Sequence, residues 1–486
     1  MSEKSCEWGR AGKIPGLKAV RGCAVCKPGY ILVLFLVALF CRPLCLFAKG
    51  EPALQYDLLR SIRQGIERNP AACYGKALTA QAAANLKVVQ ANRNPDITAQ
   101  GENGYFSGTS VNPSYLVAGI SPSGFPIQSR EGGYIYGIVT GSAPIFDQGA
   151  FRWQVSHSER SAQLGISEAN WTYEDDKMNV AQAVSTAYET VLKDRKTVSV
   201  LEEVTHLARA DYQTAQIKFQ KNLISRTQLL QAEVNYTQFK SMRDKAIETE
   251  KSDEQNLALL IGADRSAKLE LAPLPDFGTV PVSLEALTRY AQEHNSSIKA
   301  QKYKVMKDQE QVEGILSQKY PVLSVQTSYG SGKGFVTGQE TRQAFVGGLA
   351  VNVPIFDFGR INSKADYARA QVKLDESSLR QLELQTNNAL QQAFYSALEQ
   401  KALMKLADKR VEQTGEAMRL SEGEYEKNLI PIGTYHDAII AWMNAKLARF
   451  QMGQDFLLDL LRIRMLCAGK WNDTILGPQW ESAMSK

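Results

Sequence analysis

The sequence predicts a mainly α-helical, internally duplicated fold. Each half carries one long coiled-coil hairpin and one pair of β-strands, so four strands per chain, of a kind that suits a membrane β-barrel. Three observations predict it. "APIFDQGAFR" at 143–152 returns as "VPIFDFGR" at 353–360, so Pro-Ile-Phe-Asp-x-Gly occurs twice, 210 positions apart. "KNLI" occurs at 221–224 and again at 427–430. Between the two markers each half runs without proline for about 70 residues, a rod near 100 Å at ~1.5 Å per residue. Two markers in one order at similar spacing mean one supersecondary unit repeated.

The chain has 486 residues, and its hydrophobic content of 44% and charged content of 22% are ordinary for a folded protein. Its net charge of +5 is local: residues 1–48 hold seven Lys/Arg against two Asp/Glu, and the rest balances at 49 against 49. A neutral body argues against non-specific binding of nucleic acid. The basic start leads into "YILVLFLVALFC" at 30–41 and a small residue near Ala48, so residues 1–48 read as a secretory signal. A membrane anchor is the alternative, but the run is shorter than the ~20 residues of a span. No small residue directly precedes Cys41 or Cys45, so a lipoprotein site is unsupported. Five of seven cysteines, with the Cys23-x-x-Cys26 pair, lie in this leader. Cys73 and Cys467 remain, with their pairing open, so the chain is no disulfide scaffold. The histidines (His157, His206, His294, His436) lack zinc-site spacing, and no phosphate loop, dinucleotide fingerprint or nucleophile elbow is present. No enzyme, cofactor or metal site is expected.

The first half spans 49–280, the second 281–470, with a tail at 471–486. Each opens with two helices, and the second of them ends at Pro95 or Pro321. Strands follow at about 96–106 and 134–144, and again at about 321–330 and 344–354. In the second half Leu323, Val325, Thr327 and Tyr329 share one face while Ser324, Gln326 and Ser328 share the other. That period of two marks strands with one apolar face. Phe345, Leu349, Val351 and Val353 continue it, whereas the first pair alternates more weakly and is rich in glycine. Gly/Ser-rich loops join the strands at 107–132 and 330–343. The repeated cluster is a hinge. Pro144 and Pro354 end the strands, Asp147 and Asp357 cap the next helix, and Gly149 and Gly359 let the backbone bend. Helical hairpins then cover about 149–262 and 359–468. Val180, Val184, Ala187, Val191, Val198, Leu201, Thr205 and Ala208 keep heptad spacing, interrupted by Asp194. Leu379, Leu382, Thr386, Ala389 and Ala393 do so in the second half.

Four strands cannot close a barrel, and open strand edges cannot face lipid. Several chains pooling strands would solve this, and a soluble sheet with coiled-coil arms, as in an exported structural or adhesin protein, is the alternative. The strand, PIFDxG, long-helix unit, the Asn-Pro and Asn-Ser helix starts and the "FQKNLIS…LLQAE" and "YEKNLI" turns resemble the TolC family over about residues 51–470. That resemblance implies an outer-membrane homotrimer with a twelve-stranded barrel in lipid and an α-helical tunnel across the periplasm. It implies a passive exit duct for an efflux pump or type I secretion system, docked to a periplasmic adaptor and an inner-membrane pump or ABC transporter. It also implies roles at the tips. Phe219 and Tyr425 take the family's aromatic position, while Asn222 and Asn428 replace its glycine. Leu223-Ile224 and Leu429-Ile430 would touch the adaptor, unless they only staple the hairpins. Thr434 and Asp437 stand where some relatives ring the closed pore with two aspartates, and Gln228 and Gln231 occupy those sites in the first half. Ile430 replaces an arginine that links neighbouring helices. Three convergent Asp437 carboxylates would favour cations and raise one another's pKa, unless Asp437 is simply solvated. The cargo stays open.

Overall fold

The computed structural model describes residues 55–107, 131–264, 269–275, 280, 283–334, 342–427 and 429–470. The expected signal, most of the first Gly/Ser-rich loop, half of the second, Asn428 and the tail at 471–486 lie outside them.

Each half begins with two short helices started by side-chain caps. Asp57 precedes α1 (Leu58–Arg68) and accepts from Arg60 N at 2.6 Å. Asn69 precedes α2 (Pro70–Ala91), where proline at the first position costs no hydrogen bond. Ser283 and Asn295 start α5 (Leu284–His294) and α6 (Ser296–Leu316) in the same way.

Three of the four strands are longer than the sequence ranges, and the fourth is shifted by two residues toward the N-terminus. β2 (Asp96–Ser107), β3 (Glu131–Asp147), β6 (Val322–Gly334) and β7 (Arg342–Asn352) form an antiparallel sheet in the order β2-β3-β6-β7. Among the described residues the outer edges of β2 and β7 have no partner strand. The duplication extends to register: Ala99 faces Val139 in the first pair, and Val325 faces Leu349 in the second. A two-residue strand β1 (Gln55–Tyr56) pairs in parallel with β5 (Glu270–Leu271), and the buried Tyr188 hydroxyl donates to Tyr56 O at 2.9 Å beside them.

The two hinge clusters differ, and the first departs from the expected form. Pro144 does not end its strand; β3 runs on to Asp147 across a bulge between Pro144 and Phe146. Asp147 caps no helix. It opens a tight hairpin in which Gln148 (φ 49°) and Gly149 (φ 72°) are both left-handed, and β4 (Ala150–Phe151) folds back on β3. The helix starts later, at α3 (His157–Gln220), on Ser156. Arg93 holds the inserted turn, donating to the carbonyls of Phe151, Arg152 and Gln154 and to Glu159 at 2.6 Å. In the second half β7 ends at Asn352, before Pro354. Asp357 accepts from Gly359 N (3.0 Å) and Ile361 N (2.8 Å) at the start of α7 (Arg360–Glu426), the role expected of it. Phe358 (φ 54°) and Gly359 (φ 80°) are again left-handed.

The long helices α3 and α7 have 64 and 67 residues, about 96 and 100 Å at 1.5 Å per residue. They pair with α4 (Arg226–Ile261) and α8 (Ile432–Cys467) respectively. All eight stripe residues named in α3 are buried. In α7 the seam lies slightly off the expected line. Thr386 and Ala393 are buried with Leu390, Phe394 and Ala397, while Leu379, Leu382 and Ala389 are only half-buried. Straight 3.6-residue helices drift against a seven-residue pattern, so a short stripe leaves its phase ambiguous. Cys73 sits on α2 and Cys467 closes α8, and no disulfide bridges them; Cys467 Sγ lies 3.9 Å from Leu287 O.

Asp308 on α6 and Asp375 on α7 form a buried acid pair between helices. Burial, then its hydrogen bond to Asp375, pushes Asp308 up to about 6. Burial also opposes charge on Asp375, but Lys304 Nζ at 2.6 Å and bonds from Asp308 and Gln371 outweigh it and hold this carboxyl at about 2. Asp308 thus carries its proton in the folded chain between about pH 4 and 6, where an unfolded aspartate has lost it, so stability falls as pH rises through that window. The neutral substitution Asp308→Asn should flatten the melting-temperature profile over that range and raise it above pH 6. An unchanged profile would refute the assignment.

Candidate functional site

Two surfaces lie at opposite ends of the long helices. The first is the sheet. Register places Ile97, Ala99, Ile135, Val139, Leu323, Val325, Leu349 and Val351 on one face. Ile97 is 74% exposed, Leu349 69% and Val351 64%. Soluble proteins do not leave a contiguous face of this kind in water. The opposite face carries Thr98, Thr140, Ser142, Ser324, Gln326 and Ser328, and the Thr98 and Thr140 hydroxyls meet at 2.7 Å. The glycine-rich first pair therefore alternates in register with the second, a regularity its sequence shows only weakly.

An aromatic band borders the apolar face where the strands meet the helices. Phe146 stands opposite Leu323, and Phe151 opposite Phe146. The two rings pack edge-on at 4.9 Å, and Trp153 stacks on Phe151 at 4.8 Å. Beyond β7 come Ile355, Phe356 and Phe358, all exposed, with the two phenylalanines in edge contact at 4.5 Å. A left-handed phenylalanine is sterically costly, and Phe358 adopts that conformation while 90% exposed, with Phe356 against its edge.

The second surface is the pair of helix tips. α3 ends on a six-residue closure: Leu223 N donates to Lys218 O at 2.8 Å while Asn222 (φ 55°) adopts the left-handed turn. Asparagine tolerates that conformation best after glycine. Leu429 N closes on Glu424 O at 2.9 Å in the second tip; Asn428, expected at its turn, lies outside the described residues. The apolar pairs divide. Leu223 and Leu429 are 69% and 70% exposed, whereas Ile224 and Ile430 pack inward against the tip clusters around Ala215 and Tyr435. One residue of each pair is thus a staple and the other a free surface.

The remaining predicted residues separate by role. Gln228 serves a capping box with Ser225, accepting from its backbone N at 2.9 Å, and Gln231 bonds Asn235 at 3.0 Å. Phe219 is partly exposed beside them. Thr434 and Asp437 sit one turn apart on α8, both exposed. Tyr425 stacks on the buried Tyr435 at 5.5 Å, with Lys218 Nζ 5.4 Å from its ring centre. Sequence reasoning missed Asp211 on α3. Burial, then the carboxylates of Glu422 and Glu426, pushes it up to about 6. Its signal was a charge on the apolar stripe between Ala208 and Ala215. Among the described residues no cluster could hold a metal ion, and no helix is long and apolar enough to cross a membrane.

A sheet with an apolar outer face and unpaired edges, joined to long hairpins with exposed tips, defines a subunit of an outer-membrane channel. The sequence profile of the outer membrane efflux protein family matches residues 62–263 and 287–469, one segment in each half, and the chain belongs to that family. The fold is similar to the outer membrane protein VceC of Vibrio cholerae (17% identity, TM-score 0.68, covering 85% of this chain and 96% of that one). It is also similar to the CmeC outer membrane channel of Campylobacter jejuni (15%, 0.70, 88% of each chain). The open-state MtrE channel of Neisseria gonorrhoeae matches as well (14%, 0.65, 85% and 89%). No curated protein matches the sequence. The protein is therefore an outer-membrane efflux channel whose helices extend into the periplasm.

Replacing Asn222 with valine puts a β-branched residue into the left-handed turn, at about 1–2 kcal/mol. Limited proteolysis should then cut the 218–226 tip several-fold faster, while Asn222→Gly leaves it as resistant as the parent. Equal rates for both would show that the turn is not the constraint.

Proposed function

We propose that three chains close one barrel and one tunnel, and that the assembly is the passive exit duct of a tripartite efflux pump or type I secretion system. The carrying observation is the sheet: four strands with an apolar outer face and two open edges suit lipid only if neighbouring chains pair those edges. Twelve strands from three chains fall within the range of outer-membrane barrels. The aromatic band from Phe146 to Trp153 and Ile355 to Phe358 suits the girdle such barrels place at a membrane interface. Passive conduction fits a chain whose sequence carries no nucleotide motif.

The inner hairpin α7–α8 is the proposed gate. Asp437 and Thr434 face one side of α8 near its tip, where three copies would converge on the pore axis. Opening would swap one packing of the coil for another. The exposed Leu223 and Leu429 are the proposed adaptor contacts, with Ile224 and Ile430 fixing their hairpins. Asp211, beside Glu422 and Glu426, lies between the two hairpins and would resist their close packing once ionised.

Reconstituted in planar bilayers, the protein should conduct with cation preference, and Asp437→Asn should lower that preference without abolishing conductance. Unaltered selectivity would remove Asp437 from the pore. Trp153 should be quenched by phospholipids brominated near the headgroup in a variant lacking the other tryptophans, and no quenching would place the band outside the membrane. Leu223→Ser with Leu429→Ser should cut efflux about tenfold or more while conductance persists; wild-type efflux would exclude the tips as the docking surface.

A further inference from the structure

A groove of about 940 Å³ runs along the helix wall next to the sheet, with α3 as its floor, α2 along one side and α6 along the other. Small-molecule sites fall in the range of ~300–1,000 Å³. All three helices belong to one chain, so the groove is complete without a second copy.

The floor is open because its residues are small. Ala162, Gly165 and Ala169 of α3 form it, between Ala82 and Val89 of α2 and Ile315 of α6. Gly165 is the telling position. Glycine weakens a helix interior relative to alanine, and close helix packing does not call for it here. An added Cβ would meet one atom within 4 Å, Lys307 Cδ at 3.7 Å. The space above Gly165 is kept empty at a cost to the helix, and such local conflicts concentrate at functional sites.

The rim is polar and carries an excess of negative charge. Gln81, Asn85 and Gln311 are exposed, and among the described residues their amides have no hydrogen-bond partner. Counting histidine as neutral, two carboxylates and one ammonium line the groove. Lys307 answers Glu168 at 2.6 Å. Glu310 has the imidazole of His157 at 2.8 Å and only a distant guanidinium, Arg160, at 3.9 Å. Its side chain is 25% exposed and open to a further cation.

Strand register shows which way the groove faces. A smaller cavity of about 230 Å³ adjoins it through Val89, Gln148 and Ser158, and is lined by Pro144, Asp147 and Ala150. Pro144 stands opposite Ser324 on the polar face of the sheet. Asp147 faces Ala150 one step after the Phe146–Phe151 pair of the aromatic band, so it points away from that band. The groove therefore opens on the polar side, which is the pore side in the proposed trimer.

The geometry points to a binding site for a monovalent organic cation with an apolar body. The body lies on Ala162, Gly165 and Ala169, the charge sits at Glu310, and the carbonyl ends of the rim amides turn toward it. An inorganic cation would leave the apolar floor unused, and a neutral molecule would leave Glu310 unanswered. The exit-duct reading asks nothing of the wall, so this site goes beyond it.

The test is equilibrium dialysis of tetraphenylphosphonium against the full chain in phosphatidylcholine nanodiscs, with empty discs subtracted. Binding should saturate at one ion per chain. Tetraphenylborate, of the same shape and opposite charge, should show no saturable binding. Gly165→Leu fills the floor and should abolish saturation. Glu310→Gln keeps a hydrogen-bonding partner for His157 but removes the charge, and should weaken binding about tenfold. Thermal melting checks that both variants fold, and if Gly165→Leu does not, Glu310→Gln decides alone. Absence of saturable phosphonium binding, equal binding of the two ions, or indifference to either substitution in a folded variant would overturn the site. Monomers in native mass spectrometry would instead sink the trimer and leave a one-per-chain result standing.

Discussion

Backbone hydrogen bonding in hydrocarbon is the constraint on which this structure depends. Every amide of a lipid-facing strand needs a partner, and each unpaired group costs several kcal/mol. β3 and β6 are satisfied on both sides, β2 and β7 on one. The chain is therefore complete in its helices and incomplete in its sheet. The apolar outer face, the polar inner face and the aromatic band all follow from meeting that demand in a membrane.

The duplication supplies the geometry. One unit of short helices, strand pair and long hairpin is used twice, and its joints are fixed by backbone conformations that few residues adopt. Among the described residues the non-glycine positions of positive φ are Gln148, Asn222 and Phe358. Two belong to the strand–helix hinges and one to a tip, so the strained positions coincide with the places where the chain changes direction. The two halves have still diverged. The first hinge gained a hairpin clamped by Arg93, and the second kept the direct Asp357 cap.

Much of this was legible in advance. The two markers and the proline-free stretches revealed the repeat, because each reports a local backbone demand that survives without knowledge of neighbours. The alternation of Leu323, Val325, Thr327 and Tyr329 identified the apolar face for the same reason. The first hinge was misread because Asp147 is equally good at capping a helix and opening a hairpin, and what decides between them is Arg93, 54 positions away. The stripe of α7 slipped because alanine-rich heptads tolerate neighbouring phases. Gln228, a pore position by resemblance, also caps α4 through Ser225, a bond set by their three-residue spacing.

The sequence by itself determined the repeat, the helix and strand periods, the polarity of the sheet faces and the residues at each turn, since these arise from interactions a few positions apart. Only the tertiary structure decided that Ile224 and Ile430 are inward staples while Leu223 and Leu429 stay exposed. It also decided that Asp308 keeps its proton beside an ionised Asp375. Those outcomes depend on which distant surfaces meet, and burial, unlike periodicity, is a property of the assembled neighbours.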